Sequence, residues 1–266
     1  MVLEKKVQIE RMTWPEVKEA IKESAGIAIV PVGAVEEHGP HMPTGTDSIE
    51  TYEIGLQAAR KAGVVITPPV WFGNSRSFMD FPGTITVNPD TLKLYVRDVV
   101  LSLVKHGFNH PIILDGHGGN YGVLDILVED LMLEQHIRAL HVRCWELATL
   151  PKPAGTPAYD GHGGSSETSA MLHLCPEDVD VSKFHDSKPE MELTKFGSIF
   201  PSPSGMYSKG PAVLPAMMSE MVKDGHHGDP KFGSAERGKD LLKVKIDALV
   251  ELLEALKHGE IKFRKS

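Results

Sequence analysis

The chain has 266 residues, 41% of them hydrophobic, with 36 acidic against 28 basic side chains and a formal charge of −8. A chain of that length buries about 70–75% of its unfolded surface, so it needs no disulfide or metal merely to fold. The acidic balance excludes the basic footprint of a nucleic-acid binder, and two cysteines, Cys144 and Cys175, are too few for a secreted disulfide scaffold. The opening residues lack the apolar core of a signal peptide, and the longest apolar run, 26–35, is about half a membrane span. The expectation is a soluble, cytoplasmic protein that engages neither nucleic acid nor membrane.

In chain order, 14–23 predicts a first helix, and the apolar run between Gly26 and Gly33 a buried strand. A helix is expected over 48–61, with Asp47 or Ser48 as a possible N-cap, and a strand over 64–67. Asn88-Pro89 reads as an N-cap followed by proline at the first helical position. Leu92, Val96, Val99 and Leu103 continue that helix in steps of four, three and four, and Gly107 stops it. A strand at 111–115, a helix at 121–135 and a weaker strand at 139–144 follow. The last helix, from about 234 to 258, carries Leu242, Ile246, Leu249, Leu253 and Leu256 on one stripe. Strands alternating with helices predict an α/β fold, a mainly parallel sheet covered on both faces. Two aperiodic stretches, 151–164 and 196–215, are long enough to be functional or to serve assembly. No domain boundary is evident, so residues 1–266 read as one domain.

Thirteen histidines stand out, several beside glycine. The first cluster leaves the first strand directly: Glu36, Glu37, His38 and His41, with Asp47 returning after Pro43 and Gly45. Ligands of open α/β sheets bind beyond the carboxyl ends of strands, and Glu36, His38 and Asp47 offer mixed N and O donors for a divalent cation. The alternative is an acidic loop that caps the next helix. The second cluster, Asp115-Gly-His117-Gly-Gly-Asn120, sets a histidine among glycines that cannot cover it. Neither GxGxxG, which fails at Tyr121, nor a P-loop fits these glycines. The third, Tyr159-Asp160-Gly-His162-Gly-Gly-Ser-Ser-Glu167, opens an apolar helix. There Asp160 is placed to fix the tautomer of His162 for proton transfer, while Glu167 could merely favour the helix dipole. There is no GxSxG elbow and no HExxH helix. Both cysteines read as buried thiols, and His226-His227 as a solvated loop.

PVGAVEEHGPHMPTGTD (31–47), FPGTITV (81–87), DGHGGN (115–120), DGHGGSSETS (160–169) and GHHGDPKFGSAERG (225–238) together resemble the creatininase (creatinine amidohydrolase) family. The resemblance implies a three-layer α/β/α sandwich, a dinuclear metal centre holding Zn or Mn (or Fe), and a homohexamer. It implies that Glu36, Asp47 and His117 hold one ion and His38 and Asp47 the other, with Asp47 bridging. Creatinine-hydrolysing members complete the second ion with a glutamate where this chain has Gly119, so Glu167 becomes the candidate, as in the broader GHGGN branch. Those members also carry tryptophan where Tyr159 stands, and many relatives carry Glu-His at Ser77-Phe78. Ser75 and Tyr159 are the expected substrate-pocket residues.

The expected activity is hydrolysis of a small polar, cyclic substrate at a C–N bond of a cyclic amide or formamide, with His162 as acid–base group and Asp160 as its partner. The alternatives are a C–C hydrolase of the 3-dehydro-scyllo-inosose type, and a non-catalytic metal- or ligand-binding protein.

Overall fold

A computed structural model describes residues 6–189, 201–202 and 214–261. Its centre is strand β1 (Ile27–Val32), apolar throughout and buried at every position. Ile27 and Ile29 enter one core while Ala28, Val30 and Val32 enter another on the opposite face. A strand covered on both sides reads as a continuous apolar run instead of an alternating one. β3 (His110–Asp115) behaves alike, sending Ile112 and Leu114 one way and Ile113 the other.

Helices α1 (Trp14–Glu23), α3 (Pro89–Lys105) and α4 (Tyr121–Gln135) cover one face through Ala20, Val96, Val100, Leu127 and Leu131. Helices α2 (Thr46–Ala62) and α8 (Ala235–Lys257) cover the other. The stripe on α8 is buried at Leu242, Ile246, Leu249 and Leu253, and Leu256 packs at its edge. The expected α/β/α layering is therefore the observed one. Short helices α5 (Cys144–Leu147), α6 (Ser165–Leu174) and α7 (Met218–Met221) complete the described set, and α6 packs on α8.

Among the described residues the sheet has the order β2-β1-β3-β4, with β2 at Val65–Ile66 and β4 at Leu140–Arg143, all parallel. The chain leaves β1 toward one edge and returns to the other side of it. β1 and β3 thus flank the point where crossovers diverge, which opens a crevice beyond their carboxyl ends. Val32 lies opposite Asp115, so the two motif-bearing loops start side by side.

Asn88 caps α3 as expected, accepting from the Asp90 N–H at 2.9 Å. The expected cap of α2 is corrected: Gly45 occupies that position. Ser48 Oγ donates to the Ala34 carbonyl, and Asp47 turns its carboxylate toward two histidines. The stretch 151–164 is irregular, as expected. Most of 196–215 lies outside the described residues, apart from a short parallel pairing of β5 (Pro201–Ser202) with β6 (Leu214–Pro215). No described helix is long and apolar enough to cross a membrane. Both cysteines are free and buried, as read from the sequence.

Leu249 is fully buried between α8 and the sheet, whereas Leu94 on α3 is 45% exposed. Leu249→Ala should cost about 2–5 kcal/mol in denaturant unfolding, and Leu94→Ala no more than about 0.5 kcal/mol.

Candidate metal centre

Three segments meet at the crevice: the loop after β1 with the first turn of α2, the loop after β3, and the irregular stretch before α6. Thr51 of α2 shows how tightly they meet, since a Cβ on Gly116 would overlap its hydroxyl and press on the Asp47 carbonyl. Only glycine lets α2 reach the end of β3.

Asp47 lies at the middle. Its Oδ1 is 3.2 Å from His38 Nε2 and its Oδ2 is 3.0 Å from His117 Nδ1. Glu36 Oε2 lies 3.1 Å from His117 Nε2, and Glu167 Oε2 lies 3.9 Å from His38 Nε2. Glu36, Asp47 and His117 thus form one group of converging donors, and His38, Asp47 and Glu167 a second that shares Asp47. Glu36, His38 and His162 form a third. His38 Nδ1–H donates to the Glu36 carbonyl at 2.9 Å, which turns Nε2 toward the crevice. Metal-binding histidines are fixed in this way, by giving their other N–H to a carbonyl or carboxylate.

The electrostatics leave a deficit. Burial pushes Glu36 up to about 8 and Glu167 up to about 7. Burial opposes charge on His117 and His38, yet the carboxylates beside them win: Glu36 and Asp47 hold His117 at about 10, and Asp47 holds His38 well above its ordinary value. Asp47, despite burial, stays well below the usual carboxylate range because both imidazoles face it. Glu36 Oε2 and Asp47 Oδ2 are nonetheless buried without an aligned hydrogen-bond donor. Orphaned carboxylate oxygens beside imidazole nitrogens are the donor set a divalent cation fits.

Other expected residues fall differently. Asp160 is not the partner of His162: its oxygens accept from the Ser165 N–H and Oγ at 2.8 Å each and face Lys152, fastening the start of α6. His162 is held instead by the Glu37 carbonyl, to which Nε2–H donates at 2.8 Å, while Nδ1 lies 3.6 Å from Glu36 Oε1. The Tyr159 hydroxyl donates to Asp186 at 2.8 Å. Ser75 is buried with its Oγ 3.4 Å from His117 Nε2, so it sits against a donor of the centre. His226 is fully buried, its ring edge-on to His41 and His185, which corrects the solvated-loop reading. Glycines beside that pair permit the close passage, a signal the sequence did carry. Glu37, which the sequence offers beside His41 as a fallback for proton transfer, is buried, with Oε1 3.5 Å from His162 Nε2, and burial raises it to about 7.

A sequence model of the family described as creatininase, creatinine amidohydrolase, matches residues 10–253. The chain belongs to the creatininase family. A 3-dehydro-scyllo-inosose hydrolase of Thermotoga maritima is 28% identical over 93% of this chain and 82% of its own. A creatinine amidohydrolase of Pseudomonas putida is 26% identical over 94% and 97%. The crystal structure of a candidate creatinine amidohydrolase from Bacteroides fragilis superposes with a TM-score of 0.81 at 28% identity, covering 98% and 99% of the two chains. Creatininase structures in Zn–Zn and Mn forms share the fold, with TM-scores of 0.76 and 0.77 at 24% and 23% identity over 95% of this chain. This creatininase-family chain is a hydrolase.

Gly119 gives the geometry a direct check. A Cβ there would fall 2.1 Å from the Asn74 carbonyl oxygen and 2.4 Å from His117 Nε2, whereas one on Gly122 meets nothing within 4 Å. Gly119→Ala should therefore destabilise the metal-free protein by about 1–3 kcal/mol, and Gly122→Ala, in a helix, should stabilise it by up to about 1 kcal/mol. Paired thermal or denaturant melts measure both.

Proposed function

We propose that the protein is a dinuclear metal-dependent hydrolase acting on a small polar, cyclic substrate, cleaving a C–N bond of a cyclic amide or formamide. The observation that carries this reading is Asp47, whose two oxygens each face a different histidine and so are arranged to bridge two ions. Glu36 and His117 would complete one position, and His38 and Glu167 the other. The Zn–Zn and Mn forms of creatininase support zinc or manganese as occupants. When bound, such ions acidify a water and polarise a carbonyl oxygen.

The remaining chemistry belongs to His162. With Nε2–H committed to the Glu37 carbonyl, Nδ1 is the free lone pair. Burial, then the charges of His38 and His227, keep its pKa well below the ordinary value, so it is a neutral acceptor at neutral pH. As the water oxygen bonds to the sp² carbon and the C–N bond breaks, Nδ1 takes the water proton and returns it to the leaving nitrogen. Phe78, whose ring lies 4.7 Å from that of His162, shields one side from water. Gly119 and Tyr159 differ from the residues expected of a creatinine-hydrolysing member, and Phe78 from the histidine that many relatives carry, which argues for another substrate. A second reading, opening of a cyclic polyol ketone at a C–C bond, is favoured by the likeness to the Thermotoga maritima enzyme over 93% of the chain. Turnover in a screen across cyclic amides, formamides and cyclic polyol ketones separates the two; no turnover with a loaded centre would support a binding protein instead.

Asp47→Ala should lose both ions together, and Glu167→Gln should weaken only one; retention of one ion at full occupancy in the first variant would refute the bridge. Because His117 sits at about 10 and Glu36 at about 8 in the metal-free chain, binding must expel protons. Affinity should therefore rise from pH 6 to pH 8, with proton release visible in titration calorimetry compared between buffers.

His162→Asn should keep both ions and the melting temperature while turnover falls about 10²–10⁴-fold. Loss of an ion would instead make His162 a ligand, through its group with Glu36 and His38.

A further inference from the structure

Asp115 ends β3 fully buried. Its Oδ1 accepts from the His117 backbone N–H at 3.0 Å and from Asn120 Nδ2 at 3.1 Å. Asn120 Oδ1 accepts in turn from the Asn74 N–H at 2.9 Å, and the Asn74 carbonyl lies 3.1 Å from His117 Nε2. One carboxylate thus holds the main chain of His117 directly and its ring by way of two asparagines. The other oxygen, Oδ2, lies 3.2 Å from Nε2 of His141 on the neighbouring strand β4. His141 Nδ1 lies 2.7 Å from Asp125 Oδ1, and Asp125 Oδ2 accepts from Arg143 at 3.0 Å.

We propose that His141 is a positioning residue for the metal centre, acting through Asp115 on His117. The proposal rests on the reading of His117 as a ligand. An imidazole with a carboxylate on each nitrogen donates at both, which only the cation can do. Its side chain is 3% exposed, so the charge is spent on these two neighbours and not on water. Without it, a fully buried carboxylate loses its counter-charge, which is costly. Asp115 then relaxes toward other donors and no longer presents Oδ1 to His117 and Asn120. A purely structural ion pair would lower the stability of the whole chain and leave the two ions' relative affinities alone. A positioning residue shifts one ion against the other.

The test is a Zn²⁺ titration of the full, chelator-stripped chain against a chromophoric chelator that resolves two binding steps, assigned with Glu36→Gln and Glu167→Gln. In His141→Gln the step sensitive to Glu36→Gln should weaken about 10–100-fold, as for loss of a ligand's supporting partner, and the other by less than about threefold. The double variant Asp115→Asn/His141→Gln removes the buried charge while keeping the acceptor for His117 and Asn120. It should regain most of that affinity, and it provides the measurement if the single variant does not fold. Equal weakening of both steps, no weakening, or a double variant as weak as the single one overturns the proposal. Wild-type protein binding fewer than two ions overturns the metal-centre reading and this proposal with it. A two-ion wild type beside an unaffected variant overturns this proposal alone.

Discussion

Carboxylates and imidazoles packed into one water-poor crevice set the constraint from which the rest of this structure follows. Glu36, Asp47 and Glu167 surround His38 and His117, and all but Glu167 are almost wholly buried. Such a set cannot be fully ionised without added positive charge, because burial alone raises each carboxyl. In the metal-free chain the histidines supply that charge by holding protons. Under the proposed function the same groups would become ligands once the protons leave, so the protonated cluster and a loaded one would be alternative solutions to one electrostatic demand.

The fold serves that demand by bringing polar groups to the ends of apolar strands. β1 and β3 are buried on both faces and give the site rigid walls, while their loops carry the donors. Charges behind the wall are paired as well: Lys245 of α8 meets Glu50 of α2 at 2.6 Å, and His141 meets Asp115 and Asp125. In metal sites, partners of this kind orient ligand side chains.

The layering was legible because long helices with clear stripes and caps, such as 89–105 and 235–257, declare themselves locally. Most of the converging donors were legible because Glu36, His38 and His117 directly follow strands and lie in glycine-containing loops, while Asp47 and Glu167 open the helices that come after such loops. Asp160 was misread as the partner of His162 for a physical reason: closeness in sequence says nothing of which way a carboxylate turns, and the start of α6 offered Ser165. His162 takes its tautomer from a backbone carbonyl 125 positions away in the chain, which no side-chain pattern reveals. The burial of His226 and the bond from His141 to Asp115 are likewise tertiary facts, fixed by which strands and loops become neighbours.

The divergence of crossovers at β1 and β3 also bears on how the chain reaches its native state. Glu36 and His117 become neighbours only when β1 pairs with β3, and α2, β2 and α3 all lie between them in the chain. The donor set therefore does not exist in any local fragment, and its assembly waits on a contact of long loop closure, the slow kind. An ion that recognises only the finished arrangement cannot help to nucleate it. Its stabilising effect belongs to the unfolding side of the barrier, as a brake on opening instead of a guide to closing.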